Sequence, residues 1–126
     1  MSPQHRLGDL QLAIMGLLWS RGEATASEVH AALLHDRGLA LTTIKTMLRK
    51  MEDRGIVTHR ADGRTFIYKP AIAEADVREG MVGEVVERMF AGNGAALINH
   101  LVEAGEIDIE DIDELRAALA KRRGKR

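Results

Sequence analysis

The sequence contains no cysteine, and this absence excludes several kinds of function at once. Disulfide frameworks, thiol nucleophiles, thiol redox switches and thiolate metal sites all need that side chain. Aromatic residues make up only 3% of the chain, so a groove that stacks several bases of a single strand is not expected. No apolar run is long enough to cross a bilayer, and no signal-type stretch follows the first residues. We therefore expect a cytoplasmic protein without membrane insertion.

Patterns that carry catalysis or bind cofactors are missing as well. No glycine-rich phosphate loop, nucleophile elbow or paired-carboxylate arrangement occurs. The histidines are scattered, and His30 and His35 are five residues apart, whereas metal ligands on one helix need steps of three or four. The acids after residue 107 fit the start and the solvated face of a helix better than a calcium or magnesium site. We expect no enzyme, no metal and no cofactor.

The charges are divided unevenly along the chain although the net charge is only −1. Residues 1–70 contain ten Lys or Arg and seven Asp or Glu, whereas residues 71–120 contain three and twelve. Residues 121–126 add five positive charges. This division predicts a DNA-facing domain over 1–70, a second domain over 71–120 with another partner, and a basic, disordered tail over 121–126.

The central element of the sequence is a predicted helix over residues 41–54. Ile44, Met47, Leu48 and Met51 recur at helical spacing and form one apolar face. The other face combines short hydroxyls with cations, which suits close approach to a DNA groove. Its predicted DNA-binding residues are Thr42, Thr43, Lys45, Thr46, Arg49 and Lys50. By itself this pattern is also typical of an ordinary amphipathic helix.

Two further helices are predicted before this one. The first covers about residues 7–22, with Asp9 as its expected cap. The second begins at the capping box formed by Thr25 and Glu28, and ends near Gly38. The short turn that separates the second helix from the 41–54 helix predicts a helix-turn-helix motif.

After residue 55 the apolar spacing changes from helical to alternating. Residues 56–60 and 65–69 are rich in β-formers, and an Asp-Gly pair lies between them, which is typical of a β-hairpin. Three helices followed by a hairpin predict a winged helix, so the fold class is mainly α with a small β-hairpin. Arg60 and Arg64 on the hairpin are predicted to contact DNA phosphates.

The acidic C-terminal part predicts three more helices, over residues 74–90, 95–104 and 108–120. Their apolar stripes are narrow, so about fifty residues bury too little surface to be stable alone. Pairing with a second copy would complete the core, which predicts a homodimer. The alternative is that these helices fold back on the winged helix. The predicted dimerisation residues are Val77, Met81, Val85, Met89, Leu97, Leu101 and Leu115.

Four segments carry a resemblance to a known family. They are Ile14-Met-Gly-Leu-Leu-Trp19, residues 43–57, Phe66-Ile-Tyr68 and Met89-Phe-Ala-Gly92. In this order they resemble the BlaI/MecI/CopY, or penicillinase repressor, family. The resemblance implies a homodimer that binds a pseudo-palindromic DNA operator and represses nearby genes. A winged-helix module that binds protein or RNA instead is the alternative.

The sequence departs from the family in two ways. Copper-responsive members use a C-terminal cysteine hook, which is absent here. Antibiotic-responsive members are inactivated when a membrane-anchored sensor protease cuts an Asn-Phe bond in their C-terminal region. In this sequence His100 and Leu101 stand where that pair would fall. The resemblance therefore implies a sensor protease as a partner, while these residues do not support cleavage. The inducing signal stays open.

Overall fold

A helix-turn-helix and a three-stranded sheet form the N-terminal part of the chain, and three helices follow. The computed structural model describes residues 6–124, with residues 34–37 described by their backbone alone. The elements are α1 (Asp9–Arg21), β1 (Ala24–Thr25), α2 (Ala26–Arg37), α3 (Leu41–Asp53), β2 (Val57–Asp62), β3 (Thr65–Pro70), α4 (Glu74–Phe90), α5 (Gly94–Glu103) and α6 (Ile109–Gly124). The predicted fold class is confirmed. The chain divides into an N-terminal unit that ends at Val82 and a C-terminal unit that begins at Gly83.

Local side-chain hydrogen bonds define the helix-turn-helix. At the start of α2, the Glu28 amide donates to Thr25 Oγ1 at 3.1 Å, and the Thr25 amide donates to Glu28 Oε1 at 2.8 Å. This is the predicted capping box. Gly38 has a φ of +59°, as expected of the residue that ends α2. In α1, Gly8 rather than Asp9 is the N-cap residue, and its amide donates to the Gln11 side chain.

The sheet has the strand order β1-β3-β2, with both pairs antiparallel. Asp62 pairs with Thr65, so the hairpin turn has two central residues, and the first of them, Gly63, has a φ of +64°. A glycine with positive φ at that position is typical of a type II′ turn. The two-residue strand β1 was not predicted. It pairs Ala24 with Tyr68 and makes β3 the central strand.

The core of the N-terminal unit combines α1, α2, α3, the sheet and the beginning of α4. Ile14, Leu18 and Leu48 are 0% exposed, and Val77 of α4 is 2% exposed. Trp19 packs against this core, and its indole Nε1–H donates to the Ile72 carbonyl at 3.0 Å just before α4. The predicted boundary after residue 70 therefore lies too early. The first turns of α4 belong to the N-terminal unit because their apolar side chains pack on its core.

This packing corrects one predicted dimerisation residue and bears on a second. Val77 is part of the N-terminal core, and Met81 packs against the same core. Val77 is 2% exposed, so it is not available to a second copy, whereas Met81 is only partly buried and stays a predicted dimerisation residue.

The C-terminal unit has a different character, because none of its described residues is buried. Large apolar side chains stay exposed on all three helices, for example Met89 at 74%, Val102 at 40% and Leu119 at 66%. Helix α6 continues to Gly124, so residues 121–124 are helical rather than disordered as predicted. Their three cations lie in the last turn, where they interact favourably with the helix dipole. Residues 125–126 of the predicted tail lie outside the described residues.

Candidate nucleic-acid interface

The outer face of α3 carries the six predicted DNA-binding residues of this helix, and all six are exposed. They are Thr42, Thr43, Lys45, Thr46, Arg49 and Lys50. On the opposite face, Ile44, Leu48 and Met51 are at most 1% exposed. Burial of the apolar stripe against the core therefore fixes the rotation of the helix and turns its hydroxyls and cations to solvent.

Two concave surfaces flank this helix. The larger, which we call the wing groove, has a volume of about 510 Å³ and lies between α3, the hairpin and the start of α2. It is lined by Thr25, Ala26, Ser27, Lys45, Arg49, Glu52, His59, Arg64, Thr65, Phe66 and Tyr68. A shallower one of about 250 Å³ is lined by Thr42, Thr43, Thr46, Met47 and Lys50. The wing groove therefore joins the outer face of α3 to the hairpin.

The cations of this surface form no ion pairs with the acids that the structure describes. Lys45, Arg49, Lys50 and Arg64 form no ion pair with any side chain that the structure describes. Unpaired cations next to short hydroxyls are the groups that proteins use against the phosphates and base edges of duplex DNA. The arrangement is thus suited to a polyanionic duplex.

Strand alternation separates the two predicted hairpin cations. Arg64 lies in the turn and lines the wing groove. Arg60 pairs with Ile67 in the sheet and lies on the face opposite that of His59. Its Nη2 lies 2.9 Å from Glu23 Oε1. The structure thus brings Arg64 together with the α3 cations, and places Arg60 in an exposed ion pair outside the groove. Such a pair contributes little to stability.

Sequence reasoning missed a cluster of rings in the wing groove. His59 Nδ1 lies 2.7 Å from both carboxylate oxygens of Glu52. The His59 ring stacks on Phe66, with centroids 4.1 Å apart and an interplanar angle of 21°. The Tyr68 ring lies 5.6 Å from His59. The alternation of both strands could have indicated this cluster, since residues 59, 66 and 68 share one face once the register is known.

The neighbours of Tyr68 in the wing groove shift the pKa of its hydroxyl. Burial raises the pKa of the Tyr68 hydroxyl above its usual range, and the Glu52 carboxylate raises it further. The guanidinium of Arg49 partly opposes the shift. Tyr68 therefore stays neutral at physiological pH and serves as a packing residue in the floor of the groove.

The remaining predicted site residues lie in the C-terminal unit. Val85, Met89 and Leu115 are exposed, and Leu97 and Leu101 are half-buried. The His100-Leu101 bond lies within α5, where the His100 ring centroid is 5.9 Å from that of Phe90. A peptide bond inside a helix is a poorer protease substrate than one at an exposed loop tip.

Two further observations concern only the described part of the chain. Within residues 6–124, no helix is long and apolar enough to traverse a bilayer. The side chains described there form no group of His, Asp and Glu that could hold a metal ion.

Known proteins of the penicillinase repressor family are similar to this chain over almost its whole length. The family model for the penicillinase repressor matches residues 7–121. The chain is 36% identical over 123 residues to the transcriptional regulator BlaI of Mycobacterium tuberculosis, covering 96% of this chain and 88% of that protein. It is 26% identical over 121 residues to the penicillinase repressor of Bacillus licheniformis, with coverages of 96% and 94%. The solved DNA-binding domain of the repressor BlaI aligns with a TM-score of 0.53 and 30% identity, over 60% of this chain and 93% of that one.

Proposed function

Since the chain belongs to the penicillinase repressor family, which consists of transcriptional repressors and not of enzymes, we propose the way in which it represses transcription. Two copies bind a pseudo-palindromic DNA operator and block transcription of the adjacent genes. Each copy places the outer face of α3 in a major groove and the hairpin beside the neighbouring phosphates. The observation that supports this most directly is the row of unpaired cations and hydroxyls on that face.

The homodimer in this proposal rests on the C-terminal unit. None of its described side chains is buried, although it carries exposed apolar residues on all three helices. A unit of this size gains too little from its own packing to be stable alone. A second copy offers the same apolar surface across a two-fold axis, and such an axis matches a pseudo-palindrome with half-sites about 10 base pairs apart, or a multiple of that spacing.

A membrane-anchored sensor protease as inactivating partner is a separate part of the proposal. The family likeness supports it, whereas the sequence at residues 100–101 does not match the expected bond. Cleavage there would also require α5 to open locally, since the bond lies inside that helix.

The first prediction concerns the phosphate contact of Arg64. Replacing Arg64 with alanine should weaken binding of operator and random duplexes to a similar extent, and lower the slope of log K against log salt by about one unit. The operator is first obtained by selecting bound fragments from the source genome. Fluorescence anisotropy at several salt concentrations then measures the effect.

Arg78→Ala is the matched control for Arg64, because it removes the same charge from an α4 side chain that lines neither groove. We expect its salt slope to equal that of the unaltered protein. A loss confined to the operator would show that Arg64 reads bases. No salt-dependent duplex binding by the unaltered protein would favour the protein- or RNA-interaction alternative.

The second prediction concerns base recognition by Thr46. Thr46→Ala should weaken operator binding by roughly fivefold, because one lost hydrogen bond costs about 1 kcal/mol. Binding of a random duplex should stay within about twofold of that of the unaltered protein. Thr46→Ser retains the hydroxyl and should keep most of the operator affinity. Equal losses for operator and random DNA in the same anisotropy titrations would contradict a role in base recognition.

A further inference from the structure

His59 lies in the wing groove with one ring nitrogen engaged and the other free. Its Nδ1 is 2.7 Å from both Glu52 oxygens. A carboxylate only accepts hydrogen bonds, so Nδ1 carries a proton and donates it. Nε2 has no hydrogen-bond partner among the described residues. The ring therefore has one nitrogen available for a ligand in the groove.

Contacts from two elements hold the ring in this place. Glu52 fixes it from α3, and Phe66 stacks on it from β3 while remaining 47% exposed. The charged and titratable groups that face the ring are Lys45, Arg49 and Glu52 of α3, Arg64 of the turn and Tyr68 of β3. The residues that precede and begin α2 contribute only the uncharged Thr25 and Ser27. Apart from Glu52, each charged group facing His59 is a cation.

The protonation state of His59 decides which ligand it accepts. In the neutral ring with Nδ1–H, Nε2 presents a lone pair, and a phosphate oxygen presents lone pairs as well, so no hydrogen bond forms. In the imidazolium, Nε2–H becomes a donor to the same oxygen. A phosphate oxygen that arrives beside Nε2 favours this second form, because it is an anion and accepts the hydrogen bond.

We propose that His59 is a DNA-contact residue that takes up one proton from solvent on binding and donates a hydrogen bond from Nε2 to a backbone phosphate in the wing groove. This inference rests on the proposed function, since it assigns a further contact in the same interface. It assigns Glu52 as the positioning residue that keeps Nδ1 occupied and Nε2 turned to the ligand. DNA binding is then linked to proton uptake, and affinity rises as the pH falls.

The experiment measures operator affinity between pH 6 and pH 8 at constant ionic strength. We expect the protein to bind the operator about tenfold more tightly at pH 6 than at pH 8, within the limit of tenfold per pH unit for each linked proton. His59→Phe keeps a ring to stack on Phe66 but has no nitrogen, and should lose this pH dependence. Calorimetry at pH 7 in buffers of different ionisation enthalpy should show proton uptake on binding for the unaltered protein and none for His59→Phe.

Two variants separate contact from folding. His59→Gln should match His59→Phe in lacking proton uptake, although only the phenylalanine preserves stacking. Glu52→Gln still accepts from Nδ1 and should retain proton uptake, with circular dichroism confirming the fold of each variant. Equal pH dependence in His59→Phe and the unaltered protein would overturn this inference and leave the proposed function intact. Absence of duplex binding at every pH would overturn both.

Discussion

Replacing Leu48 with alanine is expected to lower the free energy of unfolding by about 3 kcal/mol. Leu48 is 0% exposed and belongs to the buried cluster of the N-terminal unit. Truncation removes three carbon atoms from a close-packed interior, which loses their transfer free energy and leaves a cavity. Urea denaturation followed by far-ultraviolet circular dichroism measures the change.

The matched control for Leu48 is Thr46, two residues away on the outer face of α3. Thr46→Ala removes an exposed side chain and should change the free energy of unfolding by less than about 0.5 kcal/mol. Leu48→Ala is thus expected to lower stability, whereas Thr46→Ala is expected to weaken operator binding without lowering stability. A cost below about 1 kcal/mol for Leu48→Ala would mean that this face of α3 is not the buried one.

Replacing both Val85 and Met89 with glutamate is expected to abolish the homodimer and weaken operator binding by about a hundredfold or more. The two residues are four apart on α4 and are 43% and 74% exposed. A single chain therefore tolerates the charges, whereas burial of four carboxylates at a two-fold interface is strongly unfavourable. Without the second copy, each chain binds one half-site and loses the gain from simultaneous engagement.

Sedimentation equilibrium and anisotropy test this prediction together. Binding to a duplex with a single half-site should be unchanged by the double glutamate variant, which isolates association from DNA contact. Met89→Leu conserves the apolar surface and should remain dimeric. A double glutamate variant that stays dimeric would move the interface to other exposed apolar residues, such as Ile109 and Leu119.

Features encoded by neighbouring residues could be predicted from the sequence. The capping box at Thr25 and Glu28 depends on residues three apart, and the hairpin turn depends on Gly63, which adopts a positive φ. The bounds of α4, Glu74–Phe90, follow from its apolar spacing. The exposed hydroxyls and cations of α3 follow from the same spacing. Each of these patterns is complete within one continuous segment of the sequence.

Features that depend on distant pairing could not be predicted. Strand β1 has only two residues, too few for any periodicity, and it exists because its backbone pairs with β3. The separation of Arg60 from Arg64, and the approach of His59 to Glu52, depend on the register of the hairpin and its position against α3. Val77 has the same local pattern as the exposed Val85, and only the packing of α4 distinguishes them.

The hydrogen bond from Trp19 to Ile72 also has a spectroscopic consequence. Trp19 is the one tryptophan of the chain. Its indole packs against the N-terminal core and is anchored to the segment that enters α4. Intrinsic fluorescence excited near the red edge of tryptophan absorption therefore originates from this junction alone. The chain carries a native optical reporter for the state of its N-terminal unit, which needs no added dye.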